Sequence, residues 1–212
     1  MFSGIISELG TIEEVHLHND SATLTLSATH TLEGLPPGGS LAVNGVCLTA
    51  VHDVNAPGVF TAELMGETLQ RTNLGAVRPG DTVNLERCVT AATHLDGHIV
   101  QGHIDTTGHV THRTDHEEWT TLRVSLHPQY APLVAEKGSI ALNGVSLTIT
   151  AVSDPGESQP WCEVGLIPTT MAQTNLGRAS TGTVLNIEVD VLAKYTQRLL
   201  AFAPSAHQEN AS

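Results

Sequence analysis

A candidate nucleophile stands at the same position in two nearly identical segments of this sequence. Residues 40–49 read SLAVNGVCLT and residues 139–148 read SIALNGVSLT, so that Cys47 corresponds to Ser146. A thiol or a hydroxyl becomes an effective nucleophile when a base lies beside it. A single cysteine in a strand is, however, more often a small packing residue. The surroundings of Cys47 and Ser146 therefore decide between chemistry and packing.

Each segment is predicted to form a β-hairpin with two unlike faces. Asn-Gly between alternating apolar residues is the strongest short signal for a two-residue turn, because both turn positions need a positive φ. Side chains alternate between faces along a strand. One face is then apolar, with Leu41, Val43, Val46 and Leu48 in the first copy and Ile140, Leu142, Val145 and Leu147 in the second. The other is small and mostly polar, with Ser40, Ala42, Cys47 and Thr49, and Ser139, Ala141, Ser146 and Thr148.

The polar face of each hairpin lacks the long charged side chains that usually cover a solvated strand. Plain exposure to solvent is one interpretation of such a face. The other is a ligand that lies against the small hydroxyls and the thiol. We predict a ligand surface, once in each copy.

Several histidines raise the question of a metal site. His98 and His103 occur in GHIVQGH, at a spacing that puts them on opposite faces of a strand. His109, His112 and His116 lie in a very polar stretch that is predicted to be a loop. Because no Cys/His pattern of the zinc type is present, we predict no metal site.

The composition indicates a globular protein of one or two domains. The chain has 212 residues and a formal net charge of −13, which disfavours binding to nucleic acid or to an anionic membrane. The three cysteines, Cys47, Cys88 and Cys162, are far apart and suit a reducing cytosol, so we expect a cytoplasmic protein. The N-terminus shows no signal peptide, and no apolar run is long enough to span a membrane.

The whole chain is a tandem duplication. Residues 4–10 match residues 102–108, the two hairpins match, TLQRTNLG matches TMAQTNLG, and TVNLERC matches VLNIEVD, all in the same order. Asn84 corresponds to Asn186, and Glu86 to Glu188. Many short strands with regular turns predict two small all-β domains, each a sandwich or a barrel. A strand over residues 1–15 and a short helix over residues 67–74, capped by Gly75, are predicted in the first copy.

The C-terminal part departs from the repeat. Val191, Leu192, Tyr195, Leu199 and Phe202 recur at helical spacing after Asp190, which stands where an N-cap is expected. This apolar stripe packs either on the second domain or on the same helix of other subunits. Residues 204–212 are predicted to be disordered.

Six segments in order resemble the α chain of riboflavin synthase: MFSGIISELG, VNGVCLT, GETLQRTNLG, GHIVQGHIDTTG, LNGVSLT and NIEVDVLAKYTQRLL. The resemblance covers nearly the whole chain. It implies an all-β fold of tandem duplicated six-stranded Greek-key β-barrels plus a C-terminal α-helix. The implied domains are a barrel over residues 1–96, a barrel over residues 97–189 and a trimerisation helix over residues 190–203, followed by the tail.

The same resemblance implies a reaction between two identical molecules. Two molecules of 6,7-dimethyl-8-ribityllumazine give riboflavin and a ribitylamino-pyrimidinedione by transfer of a four-carbon unit. No cofactor is expected, because one substrate molecule oxidises the other. The working site is implied to form between the first barrel of one subunit and the second barrel of its neighbour in a homotrimer. Association with lumazine synthase is a further partner that the resemblance suggests.

The residues implied in the site fall into four groups. The first pocket is lined by Ser40, Cys47, Thr49, Met65, Glu67 and Thr68, and the second by Ser139, Ser146, Thr148, Ile167 and Thr170. Phe2, His98 and His103 match residues linked to activity, and Gly4, Ile5, Lys137 and Asp190 match substrate contacts. Cys47, or a water that it positions, would add to C7 of one lumazine. Ser146 and His103 would help to remove a proton from the C7 methyl group of the other.

The chain departs from the family pattern at Asn143, where an Asp is common, and at Thr169, which stands opposite Glu67 and follows Pro168. A non-catalytic lumazine or flavin antenna protein of the same fold is the main alternative function. Such proteins tend to lose site residues that are present here. A flavoprotein reductase is a third interpretation, but it would need a following dinucleotide-binding domain.

Overall fold

The computed structural model describes residues 1–51 and 57–203, and in this part of the chain the strands form two six-stranded antiparallel units. The first unit contains β1 (Glu8–Leu17), β2 (Ser21–Ser27), β3 (Ser40–Val43), β4 (Val46–Thr49), β5 (Val59–Met65) and β6 (Thr82–Arg87). The second contains β7 (Thr106–Asp115), β8 (Thr120–Ser125), β9 (Ser139–Leu142), β10 (Val145–Val152), β11 (Trp161–Leu166) and β12 (Val184–Val189). The short helices α1 (Gly66–Arg71) and α2 (Pro168–Gln173) follow β5 and β11, and α3 (Val191–Leu200) comes last.

The two units share one topology, which confirms the predicted all-β duplication. The first has the strand order β4-β3-β6-β1-β2-β5, and a bridge between Val51 and Thr61 links its two edge strands. The second has the equivalent order β10-β11-β8-β7-β12-β9 and is a closed barrel. Closure removes the free strand edges that would otherwise pair with other chains. We call the two units barrel 1 and barrel 2.

The hairpins have the predicted register. In barrel 1, Ser40 pairs with Thr49 and Val43 with Val46; in barrel 2, Ser139 pairs with Thr148 and Leu142 with Val145. Asn44 and Asn143 both have a φ of 46°, as the two-residue turn requires. The apolar face of each hairpin is buried in the core of its own barrel. The binary pattern of the sequence therefore specifies this part of the fold correctly.

Four local predictions are wrong. Residues 1–7 precede β1 and form no regular strand, and His98 and His103 lie in an irregular segment rather than on one strand. The histidine-rich stretch is not a loop, since His109 and His112 belong to β7. Gly75 is no helix cap, because α1 ends at Thr72 in extended backbone and Gly75 lies in a separate 3₁₀ turn. For residues 1–7 and for the segment with His98 and His103, backbone bonds to distant parts of the chain replace a local strand.

The two hairpin turns pack directly against each other. A methyl group on Gly45 would lie 2.6 Å from the amide nitrogen of Gly144, and one on Gly144 would lie 2.8 Å from Gly45. The glycines are thus required both for their positive φ and for this close approach of two backbones. The Asn-Gly pairs, predicted only as turn formers, also build the seam between the barrels.

A network of asparagines surrounds the contact between the turns. The side-chain amide of Asn84 donates to the carbonyl of Asn143 at 2.9 Å, and that of Asn186 donates to the carbonyl of Asn44 at 2.9 Å. Its members come in equivalent pairs from the two repeats: Asn44 and Asn143, Asn73 and Asn175, and Asn84 and Asn186. Asn84 and Asn186 are fully buried. The hydrogen bonds of their side-chain amides all cross the seam, so the network holds the barrels in one relative orientation.

The C-terminal helix α3 begins as predicted at Asp190, whose carboxylate accepts a hydrogen bond from the Leu192 amide at 2.9 Å. Lys194 anchors the helix to barrel 2, because its ammonium lies 3.1 Å from both carboxylate oxygens of Asp105. Only Val191 of the apolar stripe is buried; Leu192, Tyr195, Leu199 and Phe202 are exposed. The second barrel therefore does not cover the stripe. The predicted tail at residues 204–212 lies outside the described residues. Within residues 1–51 and 57–203, no helix is long and apolar enough to span a bilayer.

Replacing Gly45 with Ala is expected to destabilise the protein more than replacing Gly80 with Ala. Both glycines have a positive φ, but a methyl group on Gly80 meets no atom within 4 Å. Gly80→Ala should cost only the conformational strain, about 1–2 kcal/mol. Gly45→Ala should cost about 1–3 kcal/mol more, because the two turns must separate. Urea denaturation followed by circular dichroism, at one protein concentration, measures both; equal losses would contradict the contact between the turns.

Candidate functional site

The start of each repeat crosses the seam and reaches the hairpin of the other barrel. The carbonyl of Gly4 accepts a hydrogen bond from the Ser146 amide at 2.8 Å, and that of Gly102 accepts one from the Cys47 amide at 2.9 Å. Phe2 and Val100 pair with each other between these two contacts, with backbone bonds of 2.7 and 3.1 Å. The two candidate nucleophiles thus occupy equivalent positions, each covered by the opposite repeat.

This crossing changes the interpretation of the polar hairpin face. Its centre is not open, because Ala42, Ala141, Phe2 and Val100 form a buried apolar cluster there. At Ala42 and Ala141 the face is therefore closed by packing, and the predicted ligand surface does not extend over them. Its outer part remains accessible, since Thr49 and Thr148 are exposed. Phe2, predicted to take part in activity, is fully buried and acts here as a packing wedge between the hairpins.

Two buried carboxylates bind the crossing segments. Glu86 accepts hydrogen bonds from the amide and hydroxyl of Ser3, both at 2.7 Å, and from the Gly4 amide at 2.9 Å. Glu188 accepts bonds from the amides of Gln101, Gly102 and His103 at 2.7, 2.9 and 3.0 Å. Burial raises the pKa of both carboxyls, and the backbone amides oppose that shift. Each carboxylate compensates for its burial through donors that its own repeat supplies.

Cys47 is a half-buried thiol rather than an exposed one. Burial raises the pKa of this thiol, and the nearby Cys88 and Glu188 raise it further. A hydrogen bond from Ser40 partly offsets the shift. At neutral pH the residue is therefore a protonated thiol and not a thiolate. A protonated thiol can donate a hydrogen bond or position a water, but it is a weak nucleophile by itself. This geometry favours the positioning role among the two roles predicted for Cys47.

Ser146 has a histidine partner. Its hydroxyl lies 2.6 Å from Nδ1 of His98, while Nε2 of His98 is buried and has no hydrogen-bond partner within the described residues. Burial lowers the pKa of His98, against the charge of nearby Asp190, so the imidazole is neutral at pH 7. A neutral imidazole beside a hydroxyl can accept a proton, directly or through the hydroxyl. Barrel 2 thus has the elements of a weak general base.

The remaining predicted site residues come in equivalent pairs from the two repeats. Met65 and Ile167 are exposed at the ends of β5 and β11, and Thr68 and Thr170 follow in α1 and α2. Ser40 and Ser139 begin the hairpin strands. Glu67 pairs with Arg71 at 3.0 Å, and Lys137 with Glu136 at 3.6 Å. Ile5 and His103 are exposed on the crossing segments.

The sequence contained a signal for the residues that were missed. Glu86 and Glu188, and Asn84 and Asn186, are matching positions of the two repeats for which the sequence predicted no role, and Asn44 and Asn143 were predicted only as turn formers. Both strands carry a carboxylate at the equivalent position among residues whose apolar side chains face the core. Such a carboxylate is expected to be buried and hydrogen-bonded within the protein. No group of three or more His, Cys, Asp or Glu residues suited to a metal ion occurs in residues 1–51 and 57–203.

Comparison with known proteins identifies relatives along the whole chain. The lumazine binding domain family matches residues 3–88 and again residues 101–190. The riboflavin synthase of Mycobacterium tuberculosis is 47% identical over 203 residues, which cover 96% of this chain and 100% of that protein. The riboflavin synthase of Bacillus subtilis is 36% identical, and the alignment covers 94% of this chain and 90% of that protein. The riboflavin synthase of Schizosaccharomyces pombe is 35% identical, and the alignment covers 94% of each chain.

Solved structures with the same fold come from LumP. Its complex with riboflavin superimposes with a TM-score of 0.80 at 23% identity, covering 89% of this chain and 99% of that one. Its complex with 6,7-dimethyl-8-(1'-D-ribityl) lumazine gives a TM-score of 0.78 at the same identity. These matches establish the fold of two barrels and carry no argument about activity.

The rate at which iodoacetamide alkylates Cys47 is expected to keep rising with pH beyond the point where a cysteine peptide levels off. The reason is that burial raises the pKa of this thiol, so the reactive thiolate forms only at higher pH. Mass spectrometry of quenched digests measures the rate at each cysteine, and the urea-unfolded chain is the control. Fast alkylation of Cys47 that saturates at or below the pKa of a free cysteine, about 8.5, would contradict this description of the site.

Proposed function

The chain belongs to the riboflavin synthase family of lumazine-binding proteins, and on this premise we infer that it forms riboflavin from two molecules of 6,7-dimethyl-8-ribityllumazine. It is a transferase of the riboflavin pathway. One lumazine donates a four-carbon unit and becomes the pyrimidinedione, while the other accepts that unit and becomes riboflavin. The atoms of the two substrates equal those of the two products, so the reaction draws no electrons from outside.

One observation supports this function: the two repeats carry equivalent clusters of side chains, each with a different candidate reactive group. Cys47 with Ser40 marks the half-site of barrel 1, and Ser146 with His98 marks that of barrel 2. A reaction between two identical molecules needs two similar binding surfaces that bring the molecules together. Good alignment of two reactants can lower the barrier by about 7–11 kcal/mol. A duplicated barrel supplies both surfaces.

The chemistry of the side chains suggests unequal roles. Cys47, as a protonated thiol, would hold the water or hydroxide that adds to C7 of the acceptor lumazine and leaves again as water before riboflavin is formed. Ser146 and the neutral His98 would receive the proton from the C7 methyl group of the donor. His103, expected beside Ser146, instead follows Gly102, whose carbonyl bonds to the Cys47 amide, so it lies at the other centre. That proton is unusually acidic for a methyl group, so a weak base suffices.

The ligand is neutral and rich in hydroxyls, which fits the small polar surroundings of both half-sites. Hydroxyls and backbone groups can bind it without a basic patch. The proposed contacts in barrel 1 are Ser40, Thr49, Met65, Glu67 and Thr68. Those in barrel 2 are Lys137, Ser139, Thr148, Ile167, Thr170 and Asp190. Gly4 and Ile5 join the contacts in barrel 2, because their segment bonds to Ser146.

An antenna protein that binds lumazine without converting it is the competing function. The residues linked to activity are all present here, among them Phe2, Cys47, His98, His103 and Ser146. The riboflavin synthases are also much closer in sequence than LumP, at 47% against 23% identity. Both observations favour the enzyme.

Incubation with 6,7-dimethyl-8-ribityllumazine alone is expected to give one riboflavin for each two lumazines consumed, without added cofactor. Absorbance of riboflavin and chromatography of both products measure the stoichiometry. Cys47→Ser and His103→Gln should each lower the single-turnover rate by about 10–100-fold. His109→Gln, an exposed residue of β7 outside the half-sites, is the matched control and should leave the rate unchanged. Tight fluorescent binding without product would favour the antenna function.

We further propose a homotrimer joined through α3. The helix carries a row of apolar side chains that barrel 2 leaves uncovered, with Leu199 74% and Tyr195 63% exposed. Monomeric proteins rarely expose such a contiguous apolar face. Association through α3 would bring barrel 1 of one subunit towards barrel 2 of the next, and so place the two exposed half-sites face to face.

The double variant Leu192→Glu and Leu199→Glu is expected to sediment as a monomer while its far-ultraviolet circular dichroism stays that of two folded barrels. Riboflavin formation should fall at least about 100-fold, because two reactants are no longer held together. The matched control Gln197→Glu changes the charge of α3 outside the apolar row and should remain a trimer. A wild-type protein that sediments as a monomer, or a monomeric variant with full activity, would contradict the proposal.

Cytoplasmic localisation belongs to the same proposal, since the three cysteines are free in the structure. Association with lumazine synthase, the enzyme expected to supply the substrate, stays a prediction of the family resemblance.

A further inference from the structure

The crossing segments connect a buried carboxylate in one barrel to a reactive side chain in the other. Glu86 belongs to β6 of barrel 1, yet the segment that it binds, Ser3 and Gly4, bonds to Ser146 of barrel 2. Glu188 belongs to β12 of barrel 2, yet the segment that it binds ends on Cys47 of barrel 1. The same relation therefore occurs twice, in opposite directions.

We propose that Glu86 and Glu188 are positioning residues for the reaction, each fixing the reactive side chain of the opposite barrel. Glu86 positions Ser146 through Gly4, and Glu188 positions Cys47 through Gly102. The proposal rests on the proposed function only for the reactive roles of Ser146 and Cys47. The positional coupling itself follows from contacts in the folded chain.

The glycines make each connection rigid. Gly4 and Gly102 have φ values of 78° and 80°, which direct the amide towards the carboxylate and the carbonyl towards the opposite hairpin. A methyl group on Gly4 would lie 2.6 Å from Cβ of Ser146, and one on Gly102 would lie 2.6 Å from Cβ of Cys47. With the backbone this close, a shift of the segment must move the reactive side chain as well.

A carboxylate suits this task better than a neutral amide. Glu86 is 4% exposed and Glu188 is 1% exposed. Both oxygens of each carboxylate act only as acceptors, and each oxygen faces at least one backbone N–H. A glutamine in either place would turn an NH₂ group towards a backbone N–H, whichever way the amide is oriented. The size of the side chain would be kept, but the segment would lose at least one buried hydrogen bond.

Hydrogen exchange in the full-length variants Glu86→Gln and Glu188→Gln tests the coupling without relying on activity. Labelling with ¹⁵N-cysteine and ¹⁵N-serine reports on the amides of Cys47 and Ser146, with Cys162 in the core of barrel 2 as an internal reference. Glu188→Gln should speed exchange at Cys47 by about tenfold and leave Ser146 unchanged. Glu86→Gln should do the reverse. The control is Glu163→Gln: Glu163 is a partly buried carboxylate of β11 that pairs with Arg123 of β8, and its replacement should change neither amide.

Steady-state kinetics of Glu86→Gln and Glu188→Gln distinguish a misplaced reactive side chain from a general loss of stability. Both variants should lower kcat by about tenfold with KM within about threefold of wild type, and with a thermal midpoint close to that of the control. Faster exchange at Cys47 in Glu86→Gln, or at Ser146 in Glu188→Gln, would overturn the proposal. So would a reduced kcat with unchanged exchange at both amides. Absence of turnover in the wild type would refute the proposed function. The exchange rates at Cys47 and Ser146 would still decide whether each carboxylate fixes the side chain of the opposite barrel.

A milder change guards against a variant that does not fold. Ser3→Ala removes the hydroxyl bond to Glu86 and the longer bond, 3.3 Å, that this hydroxyl accepts from the Ile5 amide, and it keeps both backbone bonds to the carboxylate. It should speed exchange at Ser146 by a smaller factor than Glu86→Gln and leave Cys47 unchanged. A uniform effect on both amides would again overturn the proposal.

Discussion

The seam of asparagine side chains between the two barrels is the interaction on which the rest of the structure depends. Asn84 and Asn186 are fully buried, and each donates to the carbonyl of the turn asparagine in the opposite barrel at 2.9 Å. A buried amide without a partner costs about 1–3 kcal/mol, so separation of the barrels would expose or orphan many polar groups at once. The two glycines of the turns allow this seam to close because they let the backbones touch.

The seam has a direct consequence for chemistry. Because the hairpins meet turn to turn, the start of each repeat can reach the strand that carries Cys47 or Ser146 in the other barrel. Duplication alone would give two equal half-sites. The structure makes them unequal: burial keeps Cys47 protonated beside Ser40, whereas Ser146 has a neutral histidine at 2.6 Å. A donor and an acceptor of the same chemical identity need such a difference.

Local features were readable from the sequence because short-range physics decides them. The Asn-Gly turns, the strand register and the two faces of each hairpin follow from turn chemistry and from the alternation of apolar residues. The crossing of Gly4 and Gly102 was not predictable, since it depends on contacts between distant parts of the chain. His109 and His112 were assigned to a loop because a polar outer face conceals the strand alternation. The burial of Phe2 between the hairpins likewise has no local signal.

Counting bound ligands tests the central claim, two unequal half-sites in one chain, most directly. Calorimetric titration with a lumazine that lacks the C7 methyl group avoids turnover, because the proton that must be removed is absent. The account predicts two molecules bound per chain, with two different affinities. One molecule bound per chain would contradict it, since a single site cannot bring two lumazines together.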